Sequence, residues 1–307
     1  MEPLLPDRTP RRGGQWIDHR MVVDGVLWRS RTGSPWRDLP GSYGNWKAVY
    51  NRHRRWSGDG TWVAVLDGLR ADSDGADDDG WIVGVDATVI RVHQHAAGAR
   101  KAPRLMSRQR CWRRRFLRGA ESNDTNPGTK EPEHADREGI GRSRGGLSTK
   151  LHIVADLRCR PVARVTTAGQ RHDSLSFDAV MADLLVVRVD GPPRRRPDRV
   201  LADKAYSSRR IRQTLRRRRI KATIPEPSSQ KAARVRRGHS GGRPPGFDAE
   251  LYKKRNVVER AINKLRATRA VGTRYDKRDF IYKGTVDVAS IRIWLRDPVK
   301  THPRDTP

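Results

Sequence analysis

Three acidic residues, with basic and aromatic companions at helical spacing, are the part of this chain whose types and positions could do chemistry. Asp86 lies inside WIVGVDATVI, an apolar run where a carboxylate is costly unless it is hydrogen-bonded, metal-bound or at an exposed strand end. Asp203 has a similar setting in RVLADKAYSS, near the end of a second apolar run and just before a polar turn. The third carboxylate, Glu259, belongs to LYKKRNVVERAINKLRATR, where Tyr252, Arg255, Glu259 and Arg266 follow the pattern Y-x2-R-x3-E-x6-R. Those offsets on a turn of about 3.6 residues place all four on one helical stripe. Val257, Val258, Ala261, Ile262 and Leu265 supply a separate packing face, so the helix would also form as a merely solvated, salt-bridged one. Asp156, at the end of KLHIVAD, is a spare carboxylate and the main competitor for a metal role. His93 and His95 form a lone His-x-His without further ligands, which reads as structural or DNA-facing rather than as a zinc site.

These residues need elements to hold them. WIVGVDATVIRV, KLHIVAD, PVARVTTA and RVLADKAY are short, rich in β-branched residues and bounded by polar or Gly-containing turns, as strands are. A helix fits DSLSFDAVMADLLVV with Asp173 as its cap, and another fits SSRRIRQTLRRRRI before a short strand in KATIPEP. Strands alternating with helices predict an α/β sheet. Ahead of them stand three helical segments: one capped by Asp18, NWKAVYNRHRRW, and TWVAVLDGLRA capped by Thr61. Their aromatic anchors and the basic Lys47, Arg54 and Arg55 suggest a helix-turn-helix unit that contacts DNA, or a packing or dimerisation unit. The acidic ADSDGADDDG lacks the spacing of a calcium loop and reads as a linker. The predicted organisation is a helical domain over 1–70, a linker over 71–80, and an α/β domain over 81–298 with irregular basic loops at 100–146 and 228–247.

Composition narrows the partner. The 307 residues include 65 Lys and Arg against 35 Asp and Glu, a formal charge of +30, which points to a polyanion, whether DNA, RNA or an anionic membrane surface, without choosing among them. No apolar run is long enough to span a bilayer, and the start of the chain has no apolar stretch resembling a signal peptide, so a cytoplasmic protein with no membrane partner is expected. Two cysteines, Cys111 and Cys159, indicate neither a disulfide framework nor a Cys-rich zinc site.

VDATVIRVHQHAAGARK, GRSRGGLSTKLHIVAD, ADKAYSS and YKKRNVVERAINKLRATRAVGTRYDKR, in this order, resemble the catalytic blocks of bacterial insertion-sequence DDE transposases with a Tyr-Arg-Glu-Lys signature. TGSPWRDLPGSYGNWKAVYNRHRRW resembles the N-terminal helix-turn-helix region of the same group. The resemblance covers most of the chain, with Arg266 standing where the signature has Lys. It implies a ribonuclease-H-like mixed sheet flanked by helices behind a small all-helical domain. It also implies a triad of Asp86, Asp203 and Glu259 holding Mg²⁺ or Mn²⁺ as two ions. Tyr252, Arg255 and Arg266 would then lie against double-stranded DNA, at transposon ends and target, in a homodimer or higher oligomer. A decayed transposase or a repressor that only recognises DNA ends is the alternative.

Overall fold

In a computed structural model of the chain, residues 4–7, 16–71, 80–99, 138–188 and 191–296 are described. The linker expected at 71–80, most of the basic loop from residue 100, and Cys111 lie wholly or largely outside them.

The sheet is built on β1 (Ile82–Val92). One of its edges pairs antiparallel with β3 (Gly146–Asp156), which pairs antiparallel with β4 (Pro161–Ala168) and with the short β2 (Gly141–Ser143). The other edge pairs parallel with β5 (Arg199–Ala202), which pairs parallel with β6 (Lys221–Thr223). The order β4-β3-β1-β5-β6, antiparallel on one side and parallel on the other, is that of a ribonuclease-H-like mixed sheet. A two-residue β7 (Thr273–Arg274) lies beside the far end of β1.

The helical N-terminal segment forms as its caps dictate. Asp18 accepts from the Arg20 N–H at the start of α1 (His19–Thr32), and Asn45 accepts from Lys47 N–H at the start of α2 (Trp46–Asp59); each satisfies an orphan donor. At α3 (Thr61–Ala71) the cap differs from expectation. The Asp59 carboxylate accepts from both the N–H and hydroxyl of Thr61, because Gly60, at φ 88°, turns the chain so that Thr61 is already helical. A four-residue α4 (Gln94–Ala97) follows β1.

Two other expectations are corrected. The helix over DSLSFDAVMADLLVV is only α5 (Phe177–Asp183), preceded by a 3₁₀ turn at Asp173–Leu175 and entered from Ser176 rather than Asp173. Leu184 and Val186 are buried at alternate positions, a strand period, and Val186 pairs with Arg194 instead of continuing the helix. The expected loops contain regular structure too: β2 and the start of β3 fall within 100–146, and α7 (Ser228–Arg236) falls within 228–247. Its glycines begin only at Gly238, and the Gln, Lys, Ala and Arg before them favour helix. α6 (Arg209–Arg217) forms where expected, capped by Ser208. α8 (Ala249–Lys253), α9 (Asn256–Arg266), α10 (Arg269–Gly272) and α11 (Asp279–Arg296) complete the order.

Both faces of the sheet are covered. One buried cluster joins Val22, Trp56 and Trp62 of the N-terminal helices to Val83, Val85, Phe177 and Val200, so those helices share a core with the sheet. The other joins Ile90 and Ile153 to Val258, Ile262 and Tyr282 from α9 and α11. α11 packs against α2 and α3, and Gly284 permits the close approach: a Cβ there would meet Ser57 Oγ at 2.0 Å. Among the described residues no helix is long and apolar enough to cross a membrane.

Candidate active site

Asp86 is placed by strand alternation. Val83 and Val85 face the cluster shared with the N-terminal helices, so Gly84 and Asp86 face α9. Parallel pairing of β1 with β5 runs as far as Val85↔Ala202 and then stops; β1 regains a partner on that edge only at Arg91↔Thr273. Asp86 and Asp203 are the residues that follow the last pair, on strands about 4.8 Å apart. They therefore stand side by side where the sheet opens, a crevice at a strand's carboxyl end. Asp86 Oδ1 accepts from Ala87 N–H at 2.8 Å, and Asp203 accepts from Lys204 N–H at 2.6 Å at the head of a 3₁₀ turn.

Glu259 arrives from α9, and it arrives because Gly84 has no side chain. A Cβ at Gly84 would sit 3.0 Å from Val258 Cβ, so the helix rests almost on the strand backbone, two residues before Asp86. The single straight helix expected over 252–266 does not form. α8 ends at Lys253, and the N–H groups of Val257 and Val258 bond back only three residues, to Lys254 and Arg255. This tight turn carries the Arg255 guanidinium to Asp86 Oδ2 at 3.2 Å, while its other nitrogen holds Glu259 Oε1. One cation thus bridges two of the three carboxylates. Arg255 also lies 5.8 Å from the Tyr252 ring centroid, and Tyr252 packs on Phe247. Arg266 is exposed in the last turn of α9, on the Glu259 stripe.

The electrostatics agree with the grouping. Burial raises the Asp86 carboxyl above its ordinary range, opposed by the Ala87 N–H and by Arg255, and the charge of Glu259 raises it further. The Tyr252 hydroxyl is also pushed up, first by burial, with Asp203 and Glu259 adding to it. Tyr206 was not singled out by its sequence context. It is buried beside the pair, its hydroxyl has no hydrogen-bond partner, and burial followed by the charges of Asp173, Asp86 and Asp203 raises it. A tyrosine three residues after an acidic strand end was the available signal.

The other candidates lie outside this group. Asp156 is buried, pairs with Arg160 Nε at 2.6 Å and accepts from the N–H groups of Arg158 and Arg160, so it closes the β3–β4 turn. His93 and His95 contact each other at 4.4 Å between ring centroids, and His93 contacts Tyr275. Lys47, Arg54 and Arg55 are exposed on α2, with Arg55 over the Trp16 ring, and take no part in the Asp86–Arg255–Glu259 contacts.

Three carboxylates offer only hard oxygen donors, the set suited to Mg²⁺ or Mn²⁺. Among the described residues no three His, Cys, Asp or Glu side chains already converge as ligands of one ion. Asp86 and Glu259 are instead bridged by the Arg255 guanidinium. The donor chemistry fits a divalent ion, with Glu259 released from Arg255.

Gly84→Val is expected to overpack the strand–helix contact by roughly 1–3 kcal/mol and to displace Glu259. A denaturant melt checks the first effect and a DNA-nicking assay the second; unchanged values for both would remove Gly84 from the placement of Glu259.

Comparison with known proteins adds a lineage. The family described as "Transposase DDE domain" matches residues 77–283, and that described as "Putative transposase of IS4/5 family" matches residues 1–66. The "Putative transposase for insertion sequence element IS6501" of Brucella ovis is 28% identical over 150 residues, 49% of this chain and 100% of the relative. "Uncharacterized protein y4sN" of Sinorhizobium fredii is 40% identical over 99 residues, 32% of this chain and 75% of the relative. A solved structure titled "Mos1 transposase paired-end complex with left transposon end" aligns over 94% of this chain and 81% of its own, at 12% identity and a TM-score of 0.26.

Proposed function

We propose that this chain, which belongs to the transposase DDE domain family, binds the terminal inverted repeats of an insertion sequence, cuts DNA there and joins the freed ends to target DNA. The observation that carries this reading is the placement of Asp86 beside Asp203 at the open edge of β1, with Arg255 drawing Glu259 toward Asp86. DDE transposase domains generally use divalent metal ions. Asp86, Asp203 and Glu259 would hold Mg²⁺ or Mn²⁺ as a pair of ions. When bound, such ions supply an activated water, neutralise phosphate charge and help the 3′ oxygen leave.

The chain's own residues do the rest. Arg255, which engages Asp86 and Glu259 in the free protein, would bind a DNA phosphate, and Tyr252 and Arg266 would extend the same contact along the transposon end. Lys47, Arg54 and Arg55 offer a second, exposed basic surface on α2 for recognising the repeat. No protein nucleophile is required, since the freed 3′-hydroxyl attacks target DNA. Joining two ends calls for a homodimer or higher oligomer on DNA.

The test is incubation with DNA carrying the flanking inverted repeats and Mn²⁺, reading nicked and joined products on a denaturing gel. Nicking and joining are expected, and both disappear with chelator. Salt-sensitive binding without any nicking would favour a decayed transposase or repressor; nicking without joining would favour a simple nuclease.

A further inference from the structure

A cleft of about 740 Å³ opens where α1 and α2 meet the far end of β1 and the β7–α11 connection. It is distinct from the carboxylate site. His93, on its wall, follows Asp86 by seven residues, about 23 Å along an extended strand at ~3.3 Å per residue.

The walls are aromatic and cationic. Trp36, Trp46, Tyr50 and Tyr275 line the cleft and each stays partly exposed, with Arg54 and Lys277 beside them. Deeper, Arg29 is only 3% exposed. Its Nη2 reaches Asp276 at 3.7 Å, while Nε and Nη1 are buried with no hydrogen-bond partner. Trp36 Nε1, whose ring lies 4.8 Å from the Arg29 guanidinium, is buried and unpartnered too. Buried donors left unsatisfied are unfavourable, so three of them at one cleft mark a place where acceptors belong. Asp276 is the one carboxylate among the described lining residues, and Arg29 and the Thr285 hydroxyl already engage it.

An occupant must therefore bring a flat π face for the indoles and phenols, acceptors at its edge for Arg29 and Trp36, and negative charge for Arg54 and Lys277. A nucleotide has all three. In a duplex the faces of its bases are stacked on their neighbours and out of reach, whereas unpaired bases can stack on aromatic side chains over a basic surface. Resting on the DNA-binding reading above, we propose that this cleft holds an unpaired base of DNA, stacked on its indole and phenol rings.

Fluorescence anisotropy with the full chain at fixed salt tests it with three probes: a paired duplex, the same duplex with a three-guanine unpaired extension, and the same extension made of abasic sites. The guanine extension is expected to bind about tenfold tighter than either of the others. Trp46→Leu is expected to abolish that preference while leaving paired-duplex affinity within about twofold. The exposed Lys277→Glu should weaken the preference without touching the core, so a folding defect in Trp46→Leu would not blunt the test. Equal affinity for all three probes, or for guanine and abasic extensions, would overturn this inference alone. A preference that survives both substitutions would place the base elsewhere, and failure to bind any probe would overturn the DNA-binding reading itself.

Discussion

Asp86→Asn is expected to lower the rate of Mn²⁺-dependent nicking about a thousandfold or more while leaving the affinity for transposon-end DNA within a few-fold. The substitution removes a carboxylate proposed as a metal ligand, and metal catalysis is worth several kcal/mol at about 1.4 kcal/mol per tenfold of rate. The same substitution should leave the melting temperature at neutral pH equal or higher. Burial raises the Asp86 carboxyl; a raised acid pKa means that stability is present at low pH, where the group is protonated, and is lost as pH rises through the folded value. At neutral pH the ionised form is thus a cost of folding, and the neutral isostere removes it. Activity lost together with stability gained is the signature of a residue kept for function. Asp203→Asn and Glu259→Gln should share the loss of nicking. If Asp156→Asn were inactive while Asp203→Asn stayed active, the assignment of the triad would be wrong.

Asp287→Ala should be the most damaging substitution for stability, at about 3–5 kcal/mol by chemical denaturation. Arg164 Nε donates to Asp287 Oδ1 at 2.6 Å and its Nη2 donates to Oδ2, with the Asp287 side chain 4% exposed. This pair fastens β4 to α11, the helix on which α2 and α3 pack. Removing one partner strands a buried charge, whereas replacing both by apolar groups of similar volume removes the desolvation penalty as well. The double variant Arg164→Met with Asp287→Leu should therefore recover more than half of the loss. Failure of that recovery, with Asp287→Ala costing less than about 1 kcal/mol, would show that the contact is not a buried ion pair in solution.

The elements of the site were legible where the local code is short-ranged. The β-branched run around Asp86 forms β1, RVLA leads to Asp203, and the caps Asp18, Asn45 and Ser208 begin helices because each satisfies an orphan donor within a few residues. Periodicity failed where it was read too far. The apolar residues after Asp183 follow a strand period, and composition alone made a loop of the helix at Ser228–Arg236. The 252–266 segment has helical spacing throughout but is folded by a turn at Lys254 and Arg255, and spacing along a chain does not reveal where an arginine 169 residues from Asp86 will reach it.

The sequence by itself determined which residues are chemically unusual: carboxylates in apolar runs, an arginine-rich chain with a net charge of +30, and the Y-x2-R-x3-E-x6-R spacing of Tyr252, Arg255, Glu259 and Arg266. Those properties belong to single residues and near neighbours, so they survive without a fold. The tertiary structure alone decided which of them meet. Strand order puts Asp203 beside Asp86, the missing side chain of Gly84 lets α9 approach, and Arg255 ties Glu259 in, while Asp156 is taken by Arg160. Each of these depends on the register and packing of segments distant in the chain, which is settled by how they bury apolar surface together.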